Sequence, residues 1–414
     1  MGKYAKQFET ENQYSAFTRS ADYILPNVSY VTETDNVYYN PMEDPIVVVR
    51  YNVTTTSEAA TLFDLSSSSN IAKMVIDGVE QPTVENEYMF NTTGQHVVEY
   101  LLSSTSIDGN MFSNVCYNCD ILSLDISNGV TYIGNYAFNG CSALTTIYIP
   151  NSVTYLGNYA FYECSSLTSA VIGAGVTGGC DNLFSYCTSL TSITINSNIT
   201  NKYLLDTYEN PLTTLVIGGN ATYVGAAFCG CPNLTSITLG NSITVIGESA
   251  FSGCTGLTFP INIPDSVVSI ENSAFTDTAN YYYSLTLPSS LTTIGSYAFY
   301  NAGLNGNLVI SDNVTSIGDH AFDGNELESV TIGRGVTSLG EYVFHDNWTL
   351  REAVINSRTT GRDTFVYCGN LTSVTFGPNI TEIEEGAFTD CGMSETTRIP
   401  DTVITVGDYA FARA

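Results

Sequence analysis

Positive charge is scarce in this chain. Twelve Lys plus Arg stand against 41 Asp plus Glu in 414 residues, a formal net charge of −29, although charged residues make up only 13% of the chain. A surface of that sign repels phosphate backbones, so nucleic acid is not an expected partner. Histidine is scarcer still: His96, His320 and His345 are the whole supply, the last two about one repeat apart and in different columns of the pattern described below. The sequence shows no GxSxG, no HExxH and no phosphate-cradling glycine loop. Cys116 and Cys119 form a lone CxxC with no second pair and no histidine nearby, so neither a metal nor a cofactor is expected. No run of about 18 apolar residues exists to cross a membrane. The N-terminus, MGKYAKQFETENQYSAF, lacks the apolar stretch of a signal peptide. Acidic pairs such as Glu384 with Glu385, or Asp319 with Asp323, read as solvated loop charges rather than glycosidase carboxylates. These absences point away from an enzyme.

What is present is a repeat. Phe138, Phe161, Phe184, Phe228, Phe251, Phe275, Phe299, Phe322, Phe344, Phe365, Phe388 and Phe411 recur at steps of 21 to 24 residues, once the interval of 44 before Phe228 is split by a degenerate unit around Leu205 and Tyr208. A leucine follows six residues after many anchors, as at Leu144, Leu167, Leu190, Leu234 and Leu257. One unit of about 23 residues with about seven apolar side chains cannot offset a backbone ordering cost of roughly 1 to 2 kcal/mol per residue. Stacking supplies the missing partner, with equivalent side chains about 4.8 Å apart merging into one core. Within a unit, LTTIYI (Leu144 to Ile149) and LTSITL (Leu234 to Leu239) alternate as short strands. The glycine that ends the next apolar pair, Gly157 or Gly247, is expected at a corner with φ above zero. The few residues up to the anchor are expected to form a loop or a single helical turn.

The phrase IPxSVTxIGxYAFxxCxxLTxI, carried by Ile149 to Ile172, Ile243 to Thr258, Leu291 to Phe299, Val314 to Phe322 and Ile399 to Phe411, resembles the BspA-like, Treponema-type branch of the leucine-rich repeats. The likeness covers about three quarters of the chain. It implies a mainly β solenoid with short helical turns, of about 13 repeats of about 23 residues over 106–414. The family's occurrence in surface adhesins, protist surface proteins and phage structural proteins implies a non-enzymatic surface protein. Glu271 and Glu384 depart from the pattern by standing where the corner glycine usually sits.

Two segments precede the repeats. Residues 1–44, with Pro26, Pro41 and many Tyr and Asn, read as an extended arm that gains order against a partner. The runs IVVVRYNV, AATLFDL, AKMVIDGVE, NEYMFNTT and HVVEYLL over 45–105 suggest a small Ig-like β-sandwich. The leader LPNVSYVTETDNVYYNP resembles the start of structural proteins of crAss-like tailed phages, in which such a leader precedes variable surface modules. That resemblance implies a virion-surface protein of fibre, decoration or adhesion type. It would be attached to other virion proteins through 1–44, with the repeats meeting a host glycan or protein. A cellular surface adhesin or host-interaction protein of BspA type, extracellular or on the cell surface, is the alternative.

Cys141, Cys164, Cys187, Cys231, Cys254, Cys368 and Cys391 sit three residues after their phenylalanines. They are read as reduced, buried core residues, which fits assembly in a reducing cytoplasm. The outward face is the candidate binding surface. Its strand positions carry Thr146, Tyr148, Thr168, Thr194, Ser236 and Thr238, and its loop positions carry Tyr136, Tyr159, Tyr297 and Tyr342, two residues before their anchors. Tyr and Thr on a rigid repeat can stack on sugars and hydrogen-bond to them at low entropic cost. The competing reading is that Thr is a good strand residue facing water and that the Tyr row only lids the core. Val403, Val406 and Phe411 leave an apolar last layer that another chain, a tight local fold or further sequence would cover, with self-association into a homo-oligomer the favoured expectation.

Overall fold

A computed structural model describes residues 30–31, 38–39, 43–114, 118–199, 204–205, 210–257, 261–278, 284–393 and 397–414. The expected arm over 1–44 lies outside them, apart from two short strands, Tyr30–Val31 and Tyr38–Tyr39, and residues 43 and 44. The fold is mainly β, with almost no helix, and its repeats form a β-solenoid of about 12 turns of ~23 residues, where the sequence suggested about 13. Of the degenerate turn, Leu204 and Leu205 are described, and both are buried. The contacts divide the chain into two compact units, Met1–Ser197 with Tyr203–Glu209, and Asn198–Lys202 with Asn210–Ala414.

The first unit opens with a five-stranded antiparallel sheet in the order Cys119–Ile126, Ile46–Val53, Gly94–Leu102, Ile71–Ile76, Val79–Glu80. Alternation decides its faces: Val47, Val49, Tyr51 and Val53 point inward, as do Val98, Tyr100 and Leu102. Asp77 and Gly78, at φ 49° and 77°, form the two-residue turn that suits the twist of a tight hairpin. The two buried phenols meet, Tyr51 Oη lying 3.0 Å from Tyr100 Oη, and Tyr51 donates to the Leu62 carbonyl. Tyr100 also packs edge-on against Phe63 and Phe112. The strand pair Ala60–Thr61 and Glu87–Tyr88 forms a separate ribbon.

The sheet crosses the sequence boundary drawn at residue 105. Ser106–Ile107 is already the first of a parallel row continued by Tyr132–Ile133, Tyr155–Leu156 and Gly178–Gly179. The chain then returns through Cys119–Ile126 to pair with Ile46–Val53. Phe112 links the two parts: its ring touches Tyr100 on one side and stacks on Phe138 at 5.3 Å on the other. The N-terminal sheet thereby closes one end of the phenylalanine column.

Within each unit the repeat behaves as its columns require. Thr146–Ile149, Ser169–Ile172 and Ser192–Ile195 run parallel and in register in the first unit. In the second, Asn305–Ile310, Glu326–Ile332, Glu352–Ile355 and Ser373–Phe376 also run parallel, with one register shift between Gly306 and Asn307. Phenylalanine rings stack from Phe112 to Phe184, and again from Phe228 to Phe411 with centroids 5.2 to 6.3 Å apart. Most anchor segments are plain turns, and Ala226–Phe228 alone among the described anchors forms a short 3-10 helix. The final turn leaves Ile404 and Val406 exposed.

The corner glycine works differently from the expectation. Gly157 and Gly247 are absent from the left-handed set. The constraint is space: a Cβ on Gly157 would lie 2.3 Å from the Gly134 carbonyl carbon and 2.4 Å from the Asn135 nitrogen of the previous turn. The positive φ falls two residues later, at Tyr159 (57°), and at the matching Tyr136, Tyr297, His320, Tyr342 and Tyr409. Where Glu271 replaces the corner glycine, its Oε2 accepts from the Glu248 amide at 3.0 Å.

The cysteine column also has a duty beyond filling space. Ten described cysteines are free thiols, and all but Cys229 are buried. Cys141, Cys164, Cys187, Cys254, Cys368 and Cys391 each donate toward the carbonyl of the phenylalanine one turn earlier, as Cys164 does to Phe138 (3.3 Å), Cys187 to Phe161 (3.1 Å) and Cys391 to Phe365 (3.1 Å). Burial pushes the Cys180 and Cys391 thiols up to about 12. At two turns asparagine takes over: Asn325 Nδ2 donates to the Phe299 carbonyl at 2.8 Å, and Asn347 Nδ2 to the Phe322 carbonyl at 2.9 Å.

Candidate interaction surfaces

The strand face of the first unit brings three of the expected residues together. Thr146 stands beside Ser169 and then Ser192, while Tyr148 stands beside Val171 and then Thr194, so two outward rows run across the parallel strands. Tyr148 is 45% exposed, and partial burial of its hydroxyl raises its pKa. Thr168 does not belong to these rows. It precedes its strand, and its Oγ1 donates to the Thr145 carbonyl at 3.0 Å, just as Thr191 donates to Thr168. In the second unit Ser236 and Thr238 are exposed beside Thr214 and Val216.

The tyrosines that precede the anchors form ladders. Tyr136 and Tyr159 stack face to face at 4.9 Å with planes 1° apart. In the second unit Tyr297, His320 and Tyr342 stack at 4.8 and 5.0 Å. The left-handed backbone aims each ring along the turn, and the one-turn repeat lays successive rings over each other. Rings inside a ladder therefore present edges and hydroxyls outward, while the end rings Tyr159, Tyr297 and Tyr342 are stacked by one ring only and meet Tyr162, Tyr300 and His345 edge-on. The next position after Tyr159 is Asn182, whose Nδ2 donates to the Tyr159 hydroxyl at 3.1 Å. The negative charge of Asp363 is the main cause raising the Tyr342 pKa, with burial second.

Sequence reasoning missed what the second ladder surrounds. Asp323 is 5% exposed, and its two carboxylate oxygens accept from two imidazoles. His320 Nδ1 lies 2.7 Å from Oδ2, and His345 Nδ1, one turn later, lies 2.9 Å from Oδ1. The histidines do occupy different columns, yet the carboxylate between them joins them. His345 also meets Tyr342 and Tyr367 edge-on, at 87° and 65°. Asp319, its suggested acidic neighbour, instead accepts from the Glu341 amide. A signal was available: His320 replaces Tyr in the YAF phrase, three residues before Asp323. Among the described residues no group of three or more His, Cys, Asp or Glu could hold a metal ion, and no helix is long and apolar enough to cross a membrane. Cys116 lies outside the description, and Cys119 is buried with its thiol toward the Thr61 carbonyl at 3.5 Å.

Comparison with known proteins agrees with this geometry. Residues 105–226, 222–351 and 292–414 match the sequence profile described as BspA type leucine rich repeat region, six copies. No curated protein matches the chain. Among solved structures, a leucine-rich repeat protein from Bacteroides ovatus is similar at 25% identity and a TM-score of 0.53, covering 69% of this chain and 80% of that one. A leucine rich cell surface protein from Faecalibacterium prausnitzii is similar at 19% identity and a TM-score of 0.29, covering 76% and 92%. The T. pallidum leucine rich repeat protein matches at 22% identity and a TM-score of 0.30, covering 54% and 86%.

Proposed function

The chain belongs to the BspA-type leucine-rich repeat family, and on that premise we propose that it is a non-enzymatic surface protein whose repeats bind a glycan or protein on a host. The observation that carries this reading is the division of labour within each turn. Inward positions are spent on a continuous apolar core, while Thr146, Tyr148 and Thr194 stand in register on an outward face that no structural duty explains. A repeated, rigid, polar face binds at low entropic cost. The acidic surface makes nucleic acid a poor partner in the same reading.

The finer reading places the protein on a phage particle, with residues 1–44 attached to other virion proteins and the repeats projecting; it rests on the leader sequence. The alternative, a cellular adhesin exposed on or outside the cell, rests on the repeats. Mass spectrometry of purified particles separates the two, and absence from virions removes the phage reading. Self-association through the exposed Ile404 and Val406 belongs to this proposal, and light scattering at the monomer mass rejects it. The binding test uses the full chain on a glycan array and on host cells. A fragment starting at 106 would strip Cys119–Ile126 of its partner strand. Loss of binding on Tyr148→Ala with an unchanged unfolding midpoint supports the strand face. Binding unaffected by Tyr148→Ala and Thr194→Ala overturns it.

A further inference from the structure

The group around Asp323 is unlike anything else in the repeats. A carboxylate that is nearly excluded from water receives two imidazole N–H groups, one from its own turn and one from the next. In the neighbouring column, three residues after each anchor, turn-to-turn contacts are made by neutral thiol and amide side chains, whose strength does not change near neutrality. Here the strength of the contact depends on the charge of the imidazoles, which changes near neutrality. His320 is stacked within its ladder, and His345 stands perpendicular to Tyr342, so the two rings are nearly at right angles. Both spend Nδ1 on the same carboxylate. Their Nε2 atoms are therefore turned away from Asp323, an arrangement suited to holding a carboxylate rather than to ligating a metal.

We propose that His320, Asp323 and His345 form a pH-sensitive clasp between consecutive turns, closed in mildly acidic solution and loosened as the pH rises above neutrality.

The groups facing His345 are Asp323, Asp346 and Asp363, with Tyr342 and Tyr367 against its ring. Around Asp323 stand His320, Tyr300 and Cys368. Arg362 is the positive charge at this face, and it is engaged with Glu341, Asp363 and Glu385. The field at His345 is thus dominated by carboxylates. Its hydrogen bond to Asp323 raises its pKa above 6.5, burial opposes, and the charges of Asp323, Asp346 and Asp363 add to the rise. A group whose pKa is higher in the folded than in the unfolded chain stabilises the fold fully below its unfolded value and loses that contribution as the pH rises through the folded value. Acid therefore tightens the clasp. Tyr342 and Tyr367 meet His345 edge-on, so its proton also sets the charge beside the half-buried Tyr342 and the exposed Tyr367.

With three histidines in the chain, the test is direct. The imidazole signals of the full chain are followed by NMR from pH 5 to 9 and assigned with His320→Gln and His345→Gln. His345 is expected to titrate above 6.5. Amide exchange over 320–325 and 344–347, corrected for intrinsic rates, is expected to accelerate several-fold between pH 6 and 8.5 in the native chain and to be flat in His345→Gln, which keeps a donor but cannot carry the charge. A titration of His345 at or below 6.5, or an exchange profile with the same pH dependence in the native chain and in His345→Gln, overturns the proposal. Asp323→Asn should abolish the pH dependence as well. If that variant does not fold, the two glutamine variants still decide.

Discussion

Asn325 offers the sharpest test of how neighbouring turns are joined. It is 2% exposed, and its side chain reaches five backbone groups. Nδ2 donates to the carbonyls of Phe299 (2.8 Å), Phe322 (2.9 Å) and Asp323 (3.2 Å), while Oδ1 accepts from the amides of Ala302 (3.1 Å) and Leu304 (3.0 Å). Asn325→Ala removes all of these and leaves two buried amides and at least two carbonyls without their partner. At about 1 to 3 kcal/mol for each buried group left unsatisfied, and with water entry limiting the sum, a loss of about 3 to 5 kcal/mol is expected. Asn325→Cys imitates the residue that other turns use. It restores a donor to the Phe299 carbonyl but nothing to the two amides, so its loss should be about half as large. Asn347→Ala should cost about 2 to 3 kcal/mol, because Asn347 Oδ1 accepts only the longer 3.4 Å contact from Leu327. Repeat arrays lose stability locally, so hydrogen exchange over 299–327 is the primary assay, with urea unfolding alongside it. A loss below about 1 kcal/mol in Asn325→Ala, or equal losses for Ala and Cys, would show that these contacts do not join the turns.

Other consequences follow from the same geometry. Gly157→Ala should destabilise by about 1 to 3 kcal/mol through backbone overlap with Gly134, whereas Gly253→Ala, at φ 72° with its nearest non-neighbour atom 3.7 Å from the added Cβ, should lose only about 1 kcal/mol; thermal unfolding of both separates crowding from backbone strain. Alkylation of the native chain at pH 8 should reach Cys229 first among the ten described cysteines and leave Cys180 and Cys391, whose thiols burial raises to about 12, until the chain is unfolded; peptide mapping reads the order. Phe112→Ala should cost about 3 to 5 kcal/mol, because it removes the ring that joins Tyr100 to Phe138, and it should speed exchange in both the N-terminal sheet and the first turns of the solenoid.

The solenoid was legible because its signal is one-dimensional. A phenylalanine every 21 to 24 residues can be buried in a single way, and the stacked rings confirm it residue by residue. The outward alternation of Thr146, Tyr148 and Thr194 is legible for the same reason, since alternation along a strand is local. Thr168 is exposed as well, but it lies just before its strand rather than in the row, with its hydroxyl turned to the Thr145 carbonyl. The return of Cys119–Ile126 to Ile46–Val53 is hidden in the sequence, since an antiparallel pairing that runs from Cys119 against Val53 to Ile126 against Val47 leaves no periodic trace. The corner glycines were recognised as special for the wrong reason: the sequence reports that a side chain is forbidden at Gly157, and the neighbouring turn shows that crowding forbids it. Asp323 was read as a surface charge because its two partners sit three residues and one full turn away.

The ladders constrain what the tyrosine rows can recognise. A sugar packs on an aromatic face, and the ring inside the second ladder, His320, has both faces against tyrosines. The matching residue one turn before Tyr297 is Ser273, which has no ring, and Tyr297 is 41% exposed. At the other end, the position after Tyr342 is taken by Asp363, whose carboxylate is close enough to raise the Tyr342 hydroxyl. A glycan read by stacking in the second unit should then depend on Tyr297 far more than on Tyr342. Losing one stacking ring typically weakens a complex by about 1 to 3 kcal/mol, a five- to more than hundred-fold change in affinity. Titration of whichever glycan binds the full chain, against Tyr297→Ala and Tyr342→Ala, compares the two ends at similar structural cost, since each removes one ring contact with His320. Equal weakening by both variants would mean that edges and hydroxyls, not faces, make the contact, and the ligand would then be one that hydrogen-bonds along the ladder.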